Sequence, residues 1–161
     1  MTDNESEKKK VSDLISTSRF AMLTTVDDLG KFVARPMTVQ EREFDGDLWF
    51  FAARDSTAVT QLEVNPGAGV TITSDDTWVS LSGTAETVDD AAKIKELWNP
   101  LVEAWFPEGA DDPNITLVKF SSDSAEYWDT PGGRIASAIS FVKSKVTGEP
   151  YSGGESAKVD L

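Results

Sequence analysis

Between Leu48 and Pro66 the chain reads LWFFAARDSTAVTQLEVNP, an apolar strand pattern that passes through Arg54 and Asp55 to Ser56–Thr57 and then into a short helical pattern. Small hydroxyl residues at such a junction can serve in two ways. They cap the helix by accepting from its first unpaired amides, or they join those amides in holding an anion at the positive end of the helix dipole. A basic residue in the first helical turn would complete an anion site by adding a charge-assisted bond. That turn holds Ala58 instead. Arg54 is the nearest cation, and strand alternation does not fix which way it points. Cap and anion site both stand at this stage.

Other chemistry-bearing residues make weaker demands. The carboxylate pairs Asp27–Asp28, Asp75–Asp76, Asp89–Asp90 and Asp111–Asp112 fall in turns or helix starts, where aspartate bonds locally to backbone amides. The 161 residues include no histidine and no cysteine, which removes the commonest general base, the commonest metal ligand, thiolate chemistry and disulfides. A metal would need an all-oxygen site, and no calcium-loop spacing is present, so none is expected. Ser80 and Ser82 lack a histidine to activate them. No side chain is expected to be catalytic. Trp49, Phe50 and Phe51 read as core, whereas Tyr127–Trp128, at a strand end before Pro131–Gly132–Gly133, suits core, a pocket or a subunit interface.

The net charge is −13, from 28 acidic and 15 basic side chains. Such an excess argues against nucleic acid or an anionic membrane as partner, since both require basic surface. No apolar run reaches the roughly 18 residues a membrane helix needs. The opening MTDNESEKKK lacks the apolar segment of a secretory leader, which points to a cytoplasmic protein.

The elements that must position these residues follow from periodicity. Residues 1–10 read as disordered, and Val11, Leu14 and Ile15 recur at helical spacing. RFAMLTTV and KFVARPMTVQERE form a hairpin about Asp27–Gly30, and Pro36 marks the second strand as an edge or a bulge. LWFFAA is a strand covered on both faces. A helix over about Ser56–Val64 turns Val59 and Leu62 inward. GVTITS and WVSLSGTAETV make a second hairpin, and Thr87 with Asp90 has capping-box spacing before a helix that Pro100 interrupts. ITLVKFS and SAEYWD read as two strands. A last helix carries Ile135, Ile139, Val142 and Val146 on one stripe, with Arg134, Lys143 and Lys145 beside it. One domain spans 11–147, followed by a polar, mobile tail over 148–161. Hairpins without β–α alternation indicate an antiparallel barrel.

Taken in order, ARPMTV, LWFFAARDS with LEVNP, WVSLSGTAETV and AEYWD resemble the general stress protein branch of the pyridoxamine 5'-phosphate oxidase-like family, over roughly Val11 to Ser144. The resemblance implies the FMN-binding split barrel: a mainly β, six-stranded antiparallel Greek-key barrel with flanking helices. It further implies a homodimer with flavin in clefts at the subunit interface. On that basis Arg35, Pro36, Met37 and Thr38 lie along the isoalloxazine ring, Phe51 and Ala52 near the ribityl chain and phosphate, and Ser56 and Thr57 on the phosphate itself. Trp128 joins this cofactor site. The flavin would carry the redox chemistry, so a site without a side-chain base remains reasonable.

One departure stands out. The family's lysine is replaced by Ala58, which removes roughly 1.5–3 kcal/mol of charge-assisted bonding. FMN affinity then falls about tenfold or more. Position 58 is expected to face solvent. Basic and histidine residues that hold substrate phosphate in the oxidases proper have no counterpart, so vitamin B6 oxidation is not expected. The leading expectation is an FMN-binding stress-type protein, with oxidoreductase activity as its enzymatic form. The alternative is a non-catalytic dimer holding flavin weakly or not at all. Deazaflavin or haem in the same cleft is a third, with haem disfavoured by the missing histidine.

Overall fold

The computed structural model describes residues 3–40, 44–130, 143, 145–148, 150 and 154–161. In chain order the elements are α1 (Asp3–Ile15), β1 (Phe20–Val26), β2 (Phe32–Thr38), β3 (Asp47–Ala53), α2 (Thr57–Val64), β4 (Gly67–Thr73), β5 (Thr77–Val88), α3 (Ala91–Leu97), α4 (Pro100–Trp105), β6 (Ile115–Asp129) and β7 (Glu155–Asp160). The fold is mainly β, with helices at connections and the periphery.

Strand order is β2-β1-β4-β5-β6-β3, with β7 added on β6, and every pairing is antiparallel. β2 and β3 end this path. They touch without a ladder between them among the described residues, so the sheet curls back on itself but stays split. Pro36 accordingly sits on an edge strand, opposite Met22, as its missing donor requires. The β1–β2 turn is local chemistry: Asp27 Oδ1 accepts from the amides of Leu29 and Lys31, and Gly30 takes a φ of 77° that other residues resist.

Strand alternation builds two apolar clusters. Leu48, Phe50 and Ala52 of β3 enter the main core with Leu23, Val70, Leu81 and Phe120. The intervening Trp49 and Phe51 pack on a second cluster with Ile94, Ile115 and Leu117. The unbroken apolar run of β3 thus has cover on both faces.

Four elements depart from the sequence expectation. ITLVKFS and SAEYWD are one 15-residue strand, β6. Its polar middle marks the exchange of neighbours, β3 pairing with residues 115–121 and β7 with 124–129. Asp90, not Thr87, caps α3, its carboxylate accepting from the amides of Ala92 and Lys93. The segment expected to be disordered carries α1 from Asp3 onward. Part of the expected mobile tail is β7, with Val159 only 3% exposed. Ile135, Ile139 and Val142 of the expected last helix lie outside the described residues, as do Pro131–Gly133, Arg134 and the Glu41–Glu43 end of the second strand. Val146 is described and is exposed.

Val11, Leu14 and Ile15 anchor the end of α1 in the main core, whereas its polar start and β7 rest on a few long-range partners. Tyr127 Oη donates to Glu7 at 2.6 Å, and Lys10 Nζ reaches Asp129 at 2.5 Å and Glu155 at 3.1 Å. Burial, then the Glu7 bond, pushes the Tyr127 pKa up to about 12. The Asp129 bond raises that of Lys10 above its ordinary 10.5. For Asp129, burial pulls upward but the bonds from Lys10 and Thr77 outweigh it, and its pKa falls.

The signs follow by linkage. Raised values at Tyr127 and Lys10 contribute stability that is complete below pH 10 and is lost as pH rises through the shifted values. The lowered Asp129 contributes stability above its ordinary range that is lost in acid. We therefore expect melting temperature to fall steeply above about pH 10. Of the two tyrosines, Tyr127 and Tyr151, one should ionise near pH 12 by absorbance at 295 nm, and Tyr127→Phe should abolish that step.

A cavity between the second strand and two short helices

Ser56 ends the run from β3 with an extended backbone, φ −69° and ψ 151°, and its Oγ accepts from the Val59 amide at 3.4 Å. The cap half of the sequence reading is realised. In front of this helix start lies a cavity of about 400 Å³, within the range of small-molecule sites. It brings together Arg35, Pro36, Met37 and Thr38 of β2, Phe51 and Ala52 of β3, and Ser56 with Thr57. Eight of the nine residues expected at a cofactor site thus share one wall. Trp128 does not join them. It lies on the outer face of β6 opposite Trp78 of β5, the two being 41% and 45% exposed.

The cavity is otherwise apolar and carries a single ionisable group among its described lining residues, Arg35. Its Nη1 donates to Thr25 Oγ1 at 2.8 Å and to the Leu23 carbonyl at 3.3 Å, and Nη2 donates to Gln61 Oε1 at 3.1 Å. Thr25, fully buried, donates in turn to Gln61 Oε1 at 2.6 Å. No carboxylate faces the guanidinium among the described residues. Burial alone lowers its pKa, and arginine remains charged regardless. In a protein of net charge −13, this guanidinium thus has only neutral partners among the described residues.

Gln61 stands three residues beyond Ala58 on α2, so the two share a helix face. The Arg35 guanidinium therefore reaches, from the neighbouring strand, the face that Ala58 leaves without charge. Arg54 points elsewhere: Nε donates to the Pro113 carbonyl and Nη1 pairs with Asp89 at 2.7 Å. That bond, followed by one from Thr116, holds the Asp89 pKa below the usual carboxylate range. Asp27, Asp90 and Asp112 bond locally, accepting from backbone amides two to four residues on, whereas Asp111 pairs with Lys95.

One expectation is corrected here. Ala58 does not face solvent; it is 5% exposed, because α2 turns Ala58, Val59 and Leu62 toward the body of the protein. Several lining residues carried no functional signal in the sequence: Phe20 from the start of β1, Gln40, and Val102, Trp105 and Phe106 of α4 and its end. The adjacent rings in EAWFP were the available clue.

The profile of the pyridoxamine 5'-phosphate oxidase-like proteins matches residues 6–152. The chain belongs to that family. A solved structure from Jannaschia sp. CCS1, described as a general stress protein 26, superposes with a TM-score of 0.79 at 26% identity, covering 98% of this chain and 99% of its own. The general stress FMN/FAD binding protein of Xanthomonas citri is 31% identical, with a TM-score of 0.66 over 78% of this chain and 89% of its own. Protein bli-3 of Neurospora crassa is 26% identical over 157 residues, covering 88% of this chain and 75% of bli-3. The family's split-barrel architecture agrees with the curled antiparallel sheet and its peripheral helices. Among the described residues, no helix is long and apolar enough to cross a membrane.

Proposed function

We propose that this protein binds a flavin nucleotide, FMN, in the cavity between β2, β3 and the start of α2, as a homodimeric stress-type protein. The observation that carries this reading is that one cavity brings the Ser56-capped start of α2 together with Arg35, whose partners among the described residues are all neutral. A phosphate there would meet the α2 amides, the Ser56 and Thr57 hydroxyls and one fixed cation. Met37 would offer the ring apolar surface, with Phe51 and Ala52 near the ribityl chain and phosphate. The Xanthomonas citri relative supports the choice of ligand class.

When bound, flavin supplies hydride and electron transfer. The chain's own residues bind and orient it. The described cavity wall holds no carboxylate, lysine or tyrosine, so any proton must move to or from solvent. Oxidation of pyridoxamine phosphate is not part of this reading. Ala58 favours the second reading, a non-catalytic dimer that holds flavin weakly or not at all.

The dimer rests on apolar surface. Phe20, Met22 and Phe32 are 57%, 39% and 81% exposed on the β1–β2 hairpin, beside Ala34 and Pro36. A second copy covering this patch would place subunit contacts next to the cavity, since Phe20 and Pro36 also line it. Sedimentation at micromolar concentration should give a dimer; a monomer would remove this arrangement.

Titration of the purified protein with FMN and riboflavin tests the ligand. Replacing both Ser56 and Thr57 with alanine should weaken FMN more than riboflavin, because only FMN carries phosphate. Equal loss would place the phosphate elsewhere. Ala58→Lys should raise FMN affinity about tenfold, leave riboflavin unchanged, and lose part of the gain in high salt. Its stability cost should exceed that of a surface change, at about 1–3 kcal/mol, because position 58 is buried.

A further inference from the structure

We propose that α4 is an aromatic cover for the cavity, with Trp105 stacking on the planar ring of the bound ligand and an Asn99–Gln40 amide bridge fixing the cover in place. The inference rests on the flavin reading and assigns the ring end of that site.

Trp105 lines the cavity yet is 74% exposed, an unusual placement for the largest side chain on a six-residue helix. Its neighbours are anchored. Val102 is 3% exposed, Phe106 packs in the second apolar cluster, and Trp98 meets Phe51 edge-on with ring centroids 5.9 Å apart. The rim ring is therefore held on a fixed base while its own surface stays open. A tryptophan in that position gains by covering a flat π-system, where both burial and offset stacking contribute.

The base itself is built by amides. Asn99 Oδ1 accepts from the amides of Leu101 and Val102, capping α4, while its Nδ2 donates to Gln40 Oε1 at 2.8 Å and to the Leu97 carbonyl. Gln40 is buried, lines the cavity and donates to the Thr38 carbonyl. The α4 wall is thus tied to the end of β2, whereas Arg35 is tied to α2. The cavity accordingly has one wall that carries a cation and another that carries an open aromatic ring, as suits a ligand with both an anionic group and a flat ring.

Trp105→Ala, Trp105→Phe and Asn99→Ser, titrated with FMN and with riboflavin, test the cover. Trp105→Ala should weaken both flavins alike, about tenfold or 1.4 kcal/mol, unlike the Ser56/Thr57 change, which selects FMN. Trp105→Phe should keep most of the affinity. Asn99→Ser retains a capping oxygen but cannot reach Gln40, so both flavins should dissociate faster, and the buried Gln40 oxygen left without its donor should lower the melting temperature by a few degrees with the protein still folded. Riboflavin binding unchanged in folded Trp105→Ala, or Trp105→Phe as weak as alanine, overturns the cover and leaves the flavin reading intact. A wild-type protein that binds neither flavin overturns both.

Discussion

Gly83→Ala should lower the melting temperature more than any other single methyl added to the sheet. Gly83 lies where β5 shifts register against β6, and a Cβ built there would stand 2.0 Å from the Ser121 carbonyl oxygen and 2.9 Å from Ser122 Cα. Both are backbone atoms of a paired strand, so no rotamer change relieves the clash. Overpacking a rigid site costs about 1–3 kcal/mol and occasionally more, and backbone against backbone belongs at the upper end. At about 3 kcal/mol, a chain of this size should melt roughly 6–12 °C lower. Gly69→Ala is the control, since its Cβ would make only an ordinary 3.5 Å contact with the Leu81 carbonyl. Thermal melts of the two variants decide the matter. A Gly83→Ala protein as stable as Gly69→Ala would mean that the long β6 can slide at its register shift.

Arg35→Gln should cost FMN affinity about tenfold to a hundredfold, the worth of a charge-assisted bond of roughly 1.5–3 kcal/mol. Glutamine removes the charge while keeping a polar amide near Thr25 and Gln61, so packing changes little. Riboflavin should be far less affected, and the salt dependence of FMN binding should flatten with the charge gone. Stability should hold or rise slightly. The guanidinium is partly desolvated without a carboxylate partner among the described residues, so its removal strands no opposite charge. Equal losses for FMN and riboflavin would assign Arg35 to the ring instead of the phosphate.

A single side chain that favours binding over stability is a pattern expected at functional sites. On the proposed flavin reading, Arg35 would supply the cation that position 58 lacks. The β1–β2 register sets Leu23 opposite Arg35, and the guanidinium reaches back along that pair to Thr25 and on to α2.

Local chemistry in the sequence determined the hairpins, the edge position of Pro36, the Ser56 cap, the break at Pro100 and the family resemblance that marked eight cavity residues. Each depends on neighbours within a few positions, where turn residues, caps and apolar period act directly. Tertiary structure alone decided the rest. Arg35 and Arg54 both sit on or beside strands, and only long-range pairing sends one into the cavity and the other to Asp89. Ala58 is buried because α2 packs inward, which its weak apolar pattern did not reveal. α1 and β7 form from polar segments because Glu7, Lys10 and Val159 find partners or cover more than 30 residues away. Trp105 lines the cavity from α4, which the Asn99–Gln40 bond ties to a residue 59 positions earlier in the chain. Periodicity records which face of an element is apolar; it holds no information about which distant side chain that face will meet.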